Sequence, residues 1–172
     1  MGHVRRGGTG VTNVGMLVED KEGFLPQLKE AFDQCGFNVK IHENIQTLIW
    51  DKLFTNVSLS ALTGVLQVDM GYIAANEYAW DLCCQLIHET VKTAAAAGLN
   101  FDEEKVREKV KNTSINNPKG CTSIRADLRD SRKTEVDTIS GAVVRAAHKH
   151  GVEVPGHECI VRLVHAMEGR NK

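Results

Sequence analysis

The chain has 172 residues, of which 42% are hydrophobic and 25% charged, with 21 lysines and arginines against 22 aspartates and glutamates. That length supports one well-buried core together with a piece of a second domain, and the composition excludes collagen-like, disordered and membrane-embedded classes. A formal net charge of −1 provides no global field for nucleic acid or an anionic membrane, so neither is expected as a partner and local sites must carry any function.

The N-terminal "MGHVRRGGTG" has no apolar segment of the signal-peptide kind, and no later stretch has the apolar length of a membrane span. A soluble, cytoplasmic protein is expected. Within it, "RRGGTG" (5 to 10) invites reading as a phosphate loop, but it lacks the GK[ST] ending and opens no helix, so it is read as a turn. "VTNVGMLV" (11 to 18) reads as a strand. "EGFLPQLKEAFDQCG" (22 to 36) reads as a helix, with Leu25, Leu28, Ala31 and Phe32 at helical spacing, Pro26 in the first turn and Gly36 at the end. "FNVKI" (37 to 41) alternates as a second strand, completing a strand, helix, strand unit of the kind normally found in a larger parallel sheet.

Beyond residue 43 no convincing strand follows. One long helix is expected over roughly 44 to 65, and a second opens near Asn76 and stops at Gly98. "FDEEKVREKVKNT" (101 to 113) is a charged surface helix, and "NPKGCTS" (117 to 123) is a loop. Thr134, with Asp137 three residues on, is a candidate N-cap for a helix running to Gly151, and a last helix follows Pro155. The fold class is therefore mainly α: a short α/β fragment, residues 1–43, followed by an all-helical domain, residues 44–172.

Within the long apolar helix, "IWDKLFTN" (49 to 56) contains a lysine. Residues four apart share a helix face, so Lys52, Asn56 and Ser60 form a polar stripe, with Thr63 beside it. Such a stripe faces water, with the lysine snorkelling, or lines a polar cavity. An asparagine is a mediocre helix former, and its place one turn after the lysine favours a specific hydrogen-bonding role. A partly desolvated ammonium can pass a proton to a carbonyl oxygen, and the asparagine can orient that oxygen.

"CTSIRADLRDSRKTEVD" (121 to 137) holds a second set. Singly, Glu135 suits the first turn of a helix and Ser123 suits a loop or cap. The cysteines, Cys35, Cys83, Cys84, Cys121 and Cys159, are odd in number and contain no CxxC, so neither a disulfide framework nor a metal site is expected; they read as reduced, buried thiols. Cys83 and Cys84 sit among Leu82, Leu86, Ile87 and Val91 in an amphipathic helix, "AAAA" (94 to 97) suggests close helix packing, and His148 and His150, two apart, are surface residues without chelating geometry.

Taken together, "WDKLFTN" (50 to 56), "TSIRADLRDSRKTEVDTISGAVV" (122 to 144) and "HGVEVP" (150 to 155) resemble the C-terminal helical domain of the ketopantoate reductases, which is 6-phosphogluconate dehydrogenase C-terminal-like. The resemblance covers essentially the whole chain. It implies NADPH-dependent reduction of ketopantoate to pantoate in pantothenate biosynthesis, with a Rossmann domain for the cofactor and the helical domain for the substrate. It implies Lys52 as the general acid at the keto oxygen, Asn56 and Ser60 as substrate contacts, Ser123 as the receiver of the substrate carboxylate, and Glu135 at the substrate hydroxyl or the cofactor. A cation and neutral donors suit an oxyanion-like transition state and a carboxylate.

The sequence departs from the family at Ser60 and Met70, where asparagines are common, at Ala126, where a glutamine is common, and at His157, where an asparagine follows the proline. The particular 2-keto acid is accordingly open. No GxGxxG follows a strand in these residues, so residues 1–43 are expected to be the tail of the cofactor domain and the chain alone is expected to be inactive. Two other readings stand beside the first: a non-catalytic helical module, with a possible homodimer, and a β-hydroxyacid dehydrogenase or a reductase of another 2-keto acid.

Overall fold

The structure, a computed structural model, describes residues 2–3 and 10–171. Apart from Gly10, the glycine-rich stretch at 5 to 10 lies outside them. Chain packing divides the protein into two compact units, Met1–Ile49 and Trp50–Lys172.

In the first unit β1 (Val11–Val14) pairs in parallel with β2 (Asn38–Ile41), Val11 opposite Asn38 and Val14 opposite Ile41, and α1 (Phe24–Gln34) makes the crossover. Asp20 starts α1 by accepting the Phe24 and Leu25 amides, each at 2.8 Å, and these bonds hold its carboxyl below the usual range. Gly36, at φ 80°, turns the chain out of the helix in the left-handed conformation open to glycine. β1 is shorter than the strand expected from "VTNVGMLV", because β2 ends at Ile41 opposite Val14 and leaves residues 15 to 18 no partner there. Val39 is the one buried hydrophobic residue of the unit among the described residues, and α1 buries none.

The expected long helix is one helical run of three parts: α2 (Ile45–Thr55), a π-helical turn (Asn56–Ser60) and α3 (Ala61–Leu66). There follow α4 (Met70–Ala75), α5 (Glu77–Ala96), α6 (Glu103–Asn116), α7 (Ser123–Arg129), α8 (Ser140–Lys149) and α9 (Pro155–Glu168). In the second unit α5 lies at the centre, packed against α4, α6, α8, α9 and the π turn. Its apolar face carries Ala79, Cys83, Leu86, Ile87 and Ala94. Asn76 caps it by accepting the Ala79 amide at 3.0 Å, and Asp102 caps α6 in the same way through Lys105. Pro155 occupies the first turn of α9, where its missing N–H costs nothing.

Several expectations from sequence are corrected. The short helices α4 and α7 fall where none is expected; α4 is anchored from outside by Met70 and Gly71 amides on the Gly120 and Pro118 carbonyls. α8 begins at Ser140, not after Thr134. The Thr134 hydroxyl accepts the Val136 amide two residues on, making a local turn, and Ile139 (φ −100°, ψ −91°) leaves the helical path. Of the four alanines at 94 to 97 only Ala94 is buried. Cys83 is buried, and burial pushes its thiol up to about 12, but Cys35, Cys121 and Cys159 are exposed. All five are free thiols.

Candidate active site on the helical unit

Lys52 and Asn56 stand one turn apart on the helical run, the lysine exposed and the asparagine half-buried. The π turn begins at Asn56: the Ala61 amide reaches back five residues to the Asn56 carbonyl. Two hydroxyls serve the carbonyls around it. Ser58 donates to the Phe54 carbonyl at 2.6 Å and Thr63 donates to the Leu59 carbonyl at 2.7 Å. Single π turns inside α-helices are frequent at functional sites. Ser60, the last residue of this turn, is buried. Of the expected stripe of Lys52, Asn56 and Ser60, with Thr63 beside it, Lys52 and Asn56 reach the surface while Ser60 and Thr63 are buried.

Lys52 makes no ion pair among the described residues, while its neighbour Asp51 pairs with Lys109. The surrounding apolar side is firm: Trp50, Phe54 and Phe101 pack ring to ring, with Phe54 edge-on to Phe101 at 5.0 Å between centroids. Since Lys52 is exposed, the desolvation expected around its ammonium is not supplied by this unit.

Ser123 is the first residue of α7 and is exposed. Its position follows from its neighbour Thr122, the N-cap, whose hydroxyl accepts the Arg125 amide at 3.4 Å and lies 2.7 Å from the Thr63 hydroxyl. Thr63 spends its proton on the Leu59 carbonyl, so Thr122 donates to Thr63, and a buried chain of hydrogen bonds ties the start of α7 to the helical run that bears Asn56. Gly64 lets the two helices meet: a Cβ there would overlap Ile124 Cγ2 and sit 3.2 Å from its Cβ. Arg125 adds an ion pair to Asp69.

Glu135 is exposed and lies in the turn before α8, not in the first turn of a helix. That turn is fastened to α9. The Thr134 amide donates to Glu168 Oε1 at 2.7 Å, and the His165 ring spans Glu168 Oε2 and Asp137 Oδ1 at 3.0 Å each. The hydrogen bonds to Glu168 and Asp137 raise the His165 ring above its ordinary value. Burial acts to raise the Glu168 carboxyl, but the Thr134 amide and the His165 ring outweigh it and hold it low.

Among the described residues no hydrogen bond or ion pair joins Lys52, Asn56, Ser60, Ser123 and Glu135 to one another. Thr63 and Thr122 are what bring the lysine helix and the serine together. The positions that depart from the family pattern lie inward. His157 and Met70 are buried and Ala126 is half-buried.

No group of three metal-ligating side chains occurs among the described residues, and no helix among them is long and apolar enough to cross a membrane. At the start of α1 the Phe24 and Leu25 amides, which a pyrophosphate would need free, are taken by the Asp20 carboxylate.

These features define a class: an all-helical domain entered from a parallel βαβ unit, with a lysine and an amide one turn apart on its first helix. The chain belongs to the family described as Ketopantoate reductase PanE/ApbA C terminal, whose profile matches residues 44–168. It is 27% identical over 161 residues to the 2-dehydropantoate 2-reductase of Pyrococcus horikoshii, covering 94% of this chain and 53% of that protein. It is 31% identical over 151 residues to the enzyme of the same name from Pyrobaculum aerophilum, covering 86% and 54%. Among solved structures, D-mandelate dehydrogenase in complex with NADH superposes with a TM-score of 0.83 at 26% identity, covering 94% of this chain and 55% of that one. The chain spans about half the length of the curated relatives it matches.

Proposed function

We propose that the chain is the substrate-holding part of a ketopantoate-reductase-type oxidoreductase, acting on a small 2-keto acid. What supports the reading most is one feature: Lys52 and Asn56 displayed one turn apart at a π turn, within the segment the family profile matches. The chemistry follows from the side chains. The Lys52 ammonium gives its proton to the keto oxygen as negative charge develops there, and the Asn56 amide orients that oxygen. The Ser123 hydroxyl donates to the substrate carboxylate, and Glu135 accepts from a substrate hydroxyl. Ser60, the last residue of the π turn, is buried and is not assigned a contact to substrate.

The hydride for such a reduction comes from a reduced nicotinamide, NADPH in the ketopantoate reductases the sequence resembles. In this reading a nucleotide-binding domain outside the described residues places that group, and the same domain covers Lys52. Ketopantoate is the first substrate to test, and the mandelate dehydrogenase likeness makes arylglyoxylates the second. Alone, these 172 residues do not turn over. Fused to a ketopantoate reductase Rossmann domain they oxidise NADPH with a 2-keto acid, and Lys52→Ala lowers kcat by about 10²–10⁴-fold. A spectrophotometric NADPH assay checks both. Turnover by the chain alone, or turnover in the fusion indifferent to Lys52, contradicts the reading.

One observation favours a second reading, a helical module that pairs with a copy of itself. Leu62, Leu66, Leu82, Leu86, Ile160 and Leu163 line an apolar hollow of about 310 Å³ between α3, α5 and α9, with Leu66, Leu82 and Leu163 exposed. A homodimer is compatible with either reading.

A further inference from the structure

Glu135 has no helix to hold it. It sits in the turn 135 to 139, ahead of α8, and its side chain is exposed. A carboxylate on such a turn is useful to a ligand only if the turn keeps one position, since a misplacement of about 1 Å can cost on the order of 100-fold in function. The restraint comes from α9, 30 residues further along the chain.

Both nitrogens of the His165 ring face carboxylate oxygens at 3.0 Å, Glu168 on one side and Asp137 on the other. Ionised carboxylates only accept hydrogen bonds, so both nitrogens must donate, and the ring is an imidazolium. Asp137 lies two residues after Glu135. Glu168 uses its other oxygen to accept the Thr134 amide, one residue before Glu135, at 2.7 Å. The turn is therefore gripped on both sides of Glu135 by a single unit, Asp137, His165 and Glu168. From α8, Arg145 donates to the Asp137 carbonyl at 3.0 Å and steadies the same residue. Arg162, one turn before His165 on α9, is engaged with Glu158.

We propose that His165 is a positioning residue for Glu135: as a cation bridging Asp137 and Glu168, it fixes the turn that presents the Glu135 carboxylate to substrate. This rests on the reading of Glu135 as a substrate-binding residue. The bridge has a defined pH sense. It is complete while the ring is protonated and is lost as pH rises through the raised titration point of His165.

The test uses the whole chain and its Rossmann fusion. In the chain, amide NMR shifts of residues 134 to 138 are followed from pH 5.5 to 9 beside the ring signals of His165. The expected result is one shared midpoint, and in His165→Gln a displaced set of amide shifts that no longer titrates. In the fusion, KM for ketopantoate is expected to rise about tenfold or more in His165→Gln, to rise comparably in Glu135→Gln, and to rise no further in the double variant. Unchanged turn amides in His165→Gln overturn the proposal. So does a KM that follows Glu135→Gln but ignores His165→Gln. If Glu135→Gln itself leaves KM unchanged while the turn still titrates with His165, the role of Glu135 is overturned and only the grip survives.

Discussion

At Gly64 the absence of one methyl group decides how closely two helices approach. Replacing a helical glycine by alanine ordinarily stabilises by about 1 kcal/mol through propensity. Here the added Cβ would overlap Ile124, which is fully buried in the core, and overpacking costs about 1–3 kcal/mol. Gly64→Ala is therefore expected to lower stability by about 1–2 kcal/mol in urea unfolding, and Ile124→Val on that background is expected to recover part of it; a stabilised single variant contradicts the packing. At this scale the placement of Lys52 and Asn56 one turn apart on a helix was legible from sequence, because helical spacing alone sets it. Thr122 and His165 were not. Thr63, the partner of Thr122, and Asp137, the partner that ties His165 to the turn, lie 59 and 28 residues away, beyond any local pattern.

Among the elements, legibility followed the source of the stabilising contacts. α5, capped by Asn76, and α9, opened by Pro155, carry their own signals and fall where sequence places them. α4 and α7 are six and seven residues long and are held by contacts to other parts of the chain. Helices that short are not stable by themselves, so propensity cannot announce them. The seam between α5 and α9 shows the same dependence. Glu89, buried on α5, accepts the Gly156 and His157 amides at 2.9 and 3.0 Å and so caps α9. His157 is enclosed beside it, its Nε2 2.9 Å from the Thr90 hydroxyl and 3.0 Å from the Leu86 carbonyl, its Nδ1 without a partner among the described residues. Burial pushes the His157 ring below its ordinary value, against the Leu86 carbonyl and the Glu89 charge. The unfolded chain then binds more protons than the folded one just below the ordinary histidine value. This contribution leaves stability intact above about pH 6.5 and erodes it as pH falls toward the folded value. His165, with its raised value, works in the opposite sense, so the expected result is that the urea midpoint of the wild type falls relative to that of His157→Gln between pH 7.5 and 5. Parallel lines for the two proteins contradict this.

For the molecule as a whole, the two units differ in how far they satisfy themselves. The helical unit has a continuous core from Phe54 to Val164. The βαβ unit has two paired strands, one buried hydrophobic residue among those described, and a helix that buries nothing. Two strands do not form an independently stable sheet. The strand, helix, strand order was legible because each element has its own periodicity and stop signal. What the unit packs against is not written in those residues.

The proposal that a 2-keto acid is held by the helical unit is tested most directly by titrating the isotopically labelled chain with ketopantoate and following its amide signals. Saturable shifts are expected at Lys52, Asn56 and Ser123 together, and they should vanish in Lys52→Ala while that variant keeps the remaining spectrum. Saturable shifts confined to the apolar hollow around Leu66, Leu82 and Leu163, or shifts unchanged by Lys52→Ala, would contradict a substrate site built on the lysine helix.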